Sequence, residues 1–350
     1  MRRGWRGFGS LVRWARRADL VICGGGGLFQ DDDSLLKMPY WALRLAALRL
    51  VAKRIAGLSI GAGPLDHPSS RLFARLAVKM LNPCSVRDPL ARNALQPLAG
   101  KRIEIVPDPA FMLQASSKQA ASQALLDAGV PEGKVLIGVC ARRWFHTRSN
   151  LIPHKYAAKI GFGRSRGQAT MSVFVSAVAE VLDALVVHSN AHIVFMPTYN
   201  VPHENDAAVC EEIASRLQPG SHSSLRIDDP KLYKAVTGQL SVMLCGRMHP
   251  AILAAGQGTP VVGLAYNQKF FGMFSLIGQR ARCMSMTDFV ANGENARLAA
   301  MLREAIRSPA EFRPDTTALA TATGKFIGDL IGPLIERQSA GAVSRARQTW

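Results

Sequence analysis

The run Cys245-Gly246-Arg247-Met248-His249 sets an Arg and a His two residues apart, where an apolar stretch from Leu240 to Leu244 gives way to a helical pattern. A permanently charged guanidinium and an imidazole titrating near ~6.5 can together hold an anion and hand it a proton. In an open α/β sheet, ligands bind at the carboxyl ends of the strands. The helix that follows adds free N–H groups and a partial positive charge at the same spot. Gly258-Thr259-Pro260 and Tyr266-Asn267-Gln268-Lys269 come soon after, which makes Tyr266 and Lys269 candidates for the same site. Each residue also has a plainer reading. Arg247 could pair with Asp228 or Asp229, His249 could be an ordinary first-turn residue, and Tyr266 and Lys269 could be a strand-end aromatic and a surface lysine.

A second set of chemistry-bearing residues lies near the N-terminus. Gly24-Gly25-Gly26-Gly27 is followed by Asp31-Asp32-Asp33. No Lys-Ser/Thr follows the glycines, so they read as a tight turn with close backbone approach and not as a phosphate-binding P-loop. Asp31 is either a carboxylate available for proton transfer or part of a solvated helix cap. Three adjacent aspartates point alternately and rarely complete a metal shell, and no metal site is assigned. His146, His154 and His203 fall in polar loops and receive no role.

These residues need strands and helices to position them, and the chain alternates between the two. Strands are expected at 20–23, 55–60, 84–86 and 102–106, with helices at 40–53, 69–81 and 89–98. Residues 108–133 read as a helical connection. The pattern restarts with a strand at 135–139. A poorly periodic loop from Trp144 to Gly167 comes next, then a helix at 169–188. Strands at 193–196, 240–244 and 260–264 and helices at 204–217 and 250–256 complete it, and 294–350 is largely helical with a loose end from Ala340. Short apolar strands with helices between them imply parallel sheets covered on both faces. The expected fold class is α/β, with two Rossmann-like domains facing a cleft. The domains are 1–115 and 135–310, joined by 116–134 and followed by a helical tail at 311–350.

Composition narrows the class. The chain has 350 residues, 48% of them hydrophobic, which excludes a disordered protein. Forty-three Lys and Arg against 25 Asp and Glu leave a net charge of +18, which favours anionic partners. Only 7% of residues are aromatic, too few for a base-stacking platform, so nucleic acid is not expected. The six cysteines form no Cys-x-x-Cys pair and read as small buried hydrophobes of a reducing compartment. No secretory signal is visible. The best candidate for a membrane span, Met38 to Ile60, is interrupted by Arg44, Arg49, Lys53 and Arg54. It reads as a surface helix covering a sheet, or as a basic amphipathic helix touching a membrane. The expected location is the cytoplasm, extending to the inner face of the cell membrane.

In chain order, the pieces Gly24-Gly25-Gly26-Gly27-Leu28-Phe29-Gln30-Asp31 with Ser34, Gly61-Ala62-Gly63-Pro64, Ser85-Val86-Arg87-Asp88, Asp108-Pro109-Ala110-Phe111, Ile137 to Arg142, Pro197 with Asp206, Arg247-Met248-His249, and Tyr266 with Lys269 resemble the polysaccharide pyruvyl transferase family. The resemblance runs from about Ala18 to Gly278. It implies a fold similar to B-type glycosyltransferases. It also implies transfer of the pyruvyl group of phosphoenolpyruvate to two hydroxyls of a sugar as a cyclic ketal. The acceptor would be an exopolysaccharide or cell-wall precursor, free or lipid-linked, and no cofactor is implied beyond the donor itself. The resemblance puts Arg142, Arg247 and His249 at the donor. Two departures stand out. Met1 to Ala18 reads as a helix leading into a strand where family members carry a preceding β-α unit with a Gly-Asn-x-Gly-Asp/Glu-like turn. The Ser that often follows the Arg-Asp pair is also replaced near Ala91.

Phosphoenolpyruvate carries a carboxylate beside a phosphate, and paired Arg forks match both groups. Arg142, preferred over the adjacent Arg143 by its place in the family pattern, and Arg247 would each end a strand and converge. His249 would protonate the methylene carbon, and Asp31 would accept the hydroxyl proton. Two rivals remain: a nucleotide-sugar glycosyltransferase of the same fold, and a non-catalytic truncated paralogue.

Overall fold

The computed structural model describes residues 2–32, 34–143, 164–199 and 205–347. Residues 144–163, most of the Trp144–Gly167 loop, lie outside the described residues, as do His146, His154 and His203. The chain divides into two compact units. The first comprises Met1–Asp31, Leu35–Met112 and Thr317–Trp350, and the second Asp32–Ser34 and Leu113–Thr316. Residues 116–134, read from sequence as a connection, group with the second unit, and the last helix groups with the first.

The first unit opens with helix α1 (Arg2–Arg17), strand β1 (Val21–Gly24) and strand β2 (Gly27–Phe29). Helix α2 (Lys37–Arg49), β3 (Ile55–Ala62), α3 (Pro68–Lys79), β4 (Cys84–Val86), α4 (Pro89–Ala99) and β5 (Glu104–Ile105) follow. The sheet is parallel in the order β1-β3-β4-β5. Cys84–Val86 is the strand expected from sequence to the residue. The glycine run does not turn from strand to helix. Gly24 pairs with Leu58 and Gly27 with Gly61, so β2 carries β1's register on along β3. Gly25 and Gly26, at φ +73° and +72°, kink the strand between them in a conformation that glycine alone adopts cheaply. The close approach expected there is real: a Cβ on Gly24 would lie 2.2 Å from the Leu58 carbonyl oxygen.

Local chemistry starts and stops the helices. Asp88 caps α4 by accepting the Ala91 N–H at 2.8 Å, Pro89 occupies its first turn, and left-handed Gly100 ends it. Met38, Leu45, Ile60, Val78, Val86 and Leu95 form the centre of this unit's core.

The second unit contains α5 (Lys118–Asp127), β6 (Val135–Cys140), α6 (Arg164–Ser189), β7 (Ala191–Phe195), α7 (Asp206–Ala214), β8 (His222–Ser224) and α8 (Pro230–Thr237). Next come β9 (Val242–Cys245), α9 (Met248–Ala255), β10 (Val261–Ala265), α10 (Gln268–Leu276) and β11 (Cys283–Ser285). Helices α11 (Met286–Ala291), α12 (Asn295–Arg307) and α13 (Pro309–Phe312) close it. Its six strands are parallel in the order β11-β10-β9-β6-β7-β8. The chain leaves β6 toward β7 and β8, then crosses back to place β9 on the other side. The sheet's topological switch point therefore lies between β6 and β9, and such a crevice is where open α/β sheets bind ligands.

Within α6, Thr170–Ser189 has the length and apolarity of a membrane span, which the sequence reading had not assigned to any segment. Phe174, Val175, Val178, Leu182 and Leu185 nevertheless point into the core, against Ile137, Ile193 and Phe289. Each such fully buried side chain contributes about 1.5–3 kcal/mol. The last helix, α14 (Thr317–Arg347), packs on the turn Pro109–Met112, where Thr323 Oγ1 donates to the Pro107 carbonyl at 3.2 Å.

Candidate active site

The adjacent ends of β6 and β9 carry the two arginines. Cys140 pairs with Cys245 in register, and Arg142 and Arg247 each stand two residues further on. Gly246 donates its N–H to the Cys140 carbonyl at 2.7 Å. A Cβ there would sit 3.1 Å from that oxygen and 3.2 Å from the Arg142 nitrogen, so glycine lets the two strand ends close up.

Arg247 is held from below by Asp206, not by Asp228 or Asp229. Its Nε lies 3.0 and 3.1 Å from the two carboxylate oxygens and its Nη2 2.7 Å from Oδ1. Asp206, the first residue of α7, is fully buried and also accepts the Tyr199 N–H at 3.0 Å. Burial raises the Asp206 carboxyl above its usual range, against the hydrogen bonds and charge of Arg247. The guanidinium also stacks over the Tyr199 ring, 4.8 Å from its centroid. Asp229 instead caps α8, accepting the Lys231 N–H at 3.0 Å.

Arg142 is buried, with its guanidinium carbon over the Tyr266 ring, 3.8 Å from the centroid. The adjacent Arg143 pairs with Glu212 at 3.5 Å. Tyr266 follows β10 directly, and the Lys269 ammonium lies 5.0 Å from its ring centroid. Burial pushes the Tyr266 phenol up. The charges of Lys269 and Arg142, with a hydrogen bond from Lys269, outweigh it and hold the phenol below the usual tyrosine value. His249 occupies the first turn of α9 and is exposed, and Arg247 is that helix's N-cap residue. The structure thus gathers Arg142, Arg247, Tyr266 and Lys269 into one cation-rich cluster at the strand ends, with His249 on the adjoining helix turn.

Asp31 belongs to the first unit. Its Oδ2 accepts the His67 N–H at 3.0 Å and its own N–H donates to the Pro64 carbonyl at 3.0 Å. Asp33 lies outside the described residues. The first unit's strand-end cation is Arg87, 3% exposed, with Nε 3.4 Å from Asp88. The described cysteines are buried, and burial lifts the Cys140 thiol to about 12. Among the described residues, no three His, Cys, Asp or Glu side chains converge as a metal shell. A hollow of about 390 Å³ lined by Asp127, Ala128, Ser224, Arg226 and Asp228 contains none of the strand-end cations.

Sequence reasoning missed two members of the site. Asp206 was visible only as part of the family pattern, without a role, and nothing in the sequence singled out Tyr199.

Two parallel α/β units, the second with clustered cations at its switch point, define a fold of the B-type glycosyltransferase kind. Solved structures agree. The UDP-GlcNAc 2-epimerase of Methanocaldococcus jannaschii, in complex with UDP-GlcNAc and UDP, aligns over 92% of this chain and 80% of its own, at 11% identity and TM-score 0.51. S. aureus MnaA with UDP aligns over 94% and 78%, at 11% identity and TM-score 0.57. The Neisseria meningitidis UDP-GlcNAc 2-epimerase bound to UDP-GlcNAc covers 93% and 80%, at 10% identity and TM-score 0.52. At these identities the likeness concerns the fold alone. No curated protein matches the chain in sequence. Residues 3–268 match the family model for polysaccharide pyruvyl transferase, and the chain belongs to that family.

Proposed function

We propose that this chain transfers the pyruvyl group of phosphoenolpyruvate to a sugar of an exopolysaccharide or cell-wall precursor, forming a pyruvate ketal. The observation that carries the reading is the placement of Arg142 and Arg247 at paired strand ends across the switch point. Two planar forks there suit a ligand with a carboxylate next to a phosphate. Asp206 fixes one fork and Tyr266 the other, so little side-chain freedom is lost on binding.

In the proposed reaction His249 gives a proton to the methylene carbon while a sugar hydroxyl oxygen bonds to the neighbouring carbon. The hydroxyl proton passes to a carboxylate, for which Asp31 is the candidate. The bond from that carbon to the phosphate oxygen then breaks, and the second hydroxyl closes the ketal. Its proton leaves with inorganic phosphate. The Arg and Lys charges stabilise the departing phosphate. The acceptor acts at the inner face of the cell membrane if it is lipid-linked.

Phosphate release from phosphoenolpyruvate, driven by a precursor fraction, tests the reading. His249→Ala is expected to reduce the rate by about 10²–10⁴-fold, the usual contribution of a general acid. Wild-type turnover in that variant removes His249 from the mechanism.

A further inference from the structure

Helix α2 is apolar on two sides. Met38, Ala42, Leu45 and Leu48 are buried in the first unit's core. On the opposite side Leu36, Tyr40, Leu43 and Leu50 recur at helical spacing and are 57%, 54%, 68% and 87% exposed. An ordinary covering helix carries polar residues on that side. Helix α3 shows the same departure: Leu72 and Leu76, one turn apart, are exposed, and Arg71, Arg75 and Lys79 form an exposed row beside them. The chain visits β1, β3, β4 and β5 in spatial order, and crossovers between parallel strands are right-handed. The intervening helices α2, α3 and α4 therefore share one face of the sheet, with α2 packed on α3 and α3 on α4. Their outward sides make one continuous surface.

The charge on this surface has a single sign. Helices α2 and α3 contain six Lys and Arg and no Asp or Glu, whereas most protein surfaces mix the two signs. Arg44 lies 5.5 Å from the Trp41 ring centroid and 5.8 Å from that of Tyr40, and donates to the Tyr40 hydroxyl at 2.7 Å. Trp14 on α1 is 69% exposed. Aromatic rings with one apolar and one polar edge, flanked by cations, are what a lipid headgroup region accommodates.

We propose that the outer face of α2 and α3 docks on a membrane surface rich in anionic lipid. Tyr40, Leu43, Leu50, Leu72 and Leu76 enter the boundary between headgroups and acyl chains, and the Arg and Lys side chains meet the headgroup phosphates. Charge complementarity selects this occupant. A second copy of the chain would bring like charges together, and a nucleic acid would leave the leucines unused. Each cation near such a surface strengthens binding by about five-fold.

Co-sedimentation with vesicles tests the proposal. The wild-type chain is expected to sediment with vesicles containing phosphatidylglycerol, to stay in solution with pure phosphatidylcholine, and to dissociate as the Debye length falls from about 10 Å to about 3 Å in strong salt. Leu43→Glu with Leu50→Glu, both at exposed positions, is expected to weaken binding at least about ten-fold with an unchanged circular dichroism melt. Arg71→Gln, Arg75→Gln and Lys79→Gln together test the charge without touching the leucines, and are expected to lower both the affinity and its salt dependence. Equal binding to both vesicle types, no binding to either, or a dimer broken by the Leu43→Glu pair would each overturn the proposal. Binding of phosphoenolpyruvate is read separately, so either reading can fail alone.

Discussion

Arg247 and Asp206 meet side-on, with the guanidinium Nη2 2.7 Å from Oδ1 and the carboxylate fully buried beneath it. The pair fixes the plane of the guanidinium at the end of β9, and Tyr199 stacks on it. A cation held this way enters binding already oriented.

The cost of breaking this pair is the first prediction. Asp206→Ala removes the buried carboxylate that pairs with Arg247. Removing one partner of a buried pair typically costs 3–5 kcal/mol, and about 3 kcal/mol is expected here because Arg247 keeps 14% of its side-chain exposure. Denaturation midpoints at constant slope measure it. The pH dependence has a definite sign. The folded-state value of Asp206 is raised, so its stabilising contribution is full below the ordinary carboxyl value of about 3.9. That contribution is lost as pH rises through the folded value. The stability of the wild type relative to Asp206→Asn is therefore expected to fall over that window.

Tyr266 gives a spectroscopic prediction. Its phenol lies below the ordinary value of ~10, because Lys269 and Arg142 favour the phenolate more than burial opposes it. An ultraviolet titration is expected to show one tyrosine ionising ahead of the others. Tyr266→Phe should remove that step and Lys269→Gln should move it up. A depressed value adds stability above the unfolded value, and this is lost as pH falls through the folded one. If phosphoenolpyruvate sits among the same cations, its negative charge should also move the step up.

Two glycines make opposite predictions. Gly24→Ala drives a methyl group into the Leu58 carbonyl at 2.2 Å, where backbone must shift, and is expected to cost roughly 1–3 kcal/mol. Gly328 lies inside α14 with nothing within 4 Å of its would-be Cβ, so Gly328→Ala is expected to add about 0.5–1 kcal/mol. Thermal melts of the two variants check both signs.

The strand ends were legible because apolar runs stop abruptly at Gly-Arg and at Ala-Arg. That pattern marks β6, β9 and Arg247, whereas only the family pattern singles out Arg142 from the adjacent Arg143. The support beneath them was not legible. Asp206 lies 41 residues before Arg247, and no local pattern links the two, whereas Asp228 and Asp229 lie nearer in the chain and looked equally able to pair. Strand β2 hid within a glycine run that reads as a turn, and β8 is three polar residues that pair only because β7 lies alongside. For α2 the sequence allowed either a surface helix covering a sheet or a basic amphipathic helix touching a membrane, and only the fold reveals which of its two apolar stripes faces outward.

The most direct measurement is calorimetric titration of the purified chain with phosphoenolpyruvate, and separately with a nucleotide sugar. The account predicts saturable binding of phosphoenolpyruvate that weakens by at least about ten-fold in Arg142→Ala and in Arg247→Ala, with no binding of UDP-GlcNAc. Binding of the nucleotide sugar with none of phosphoenolpyruvate, or wild-type affinity in both variants, would contradict it.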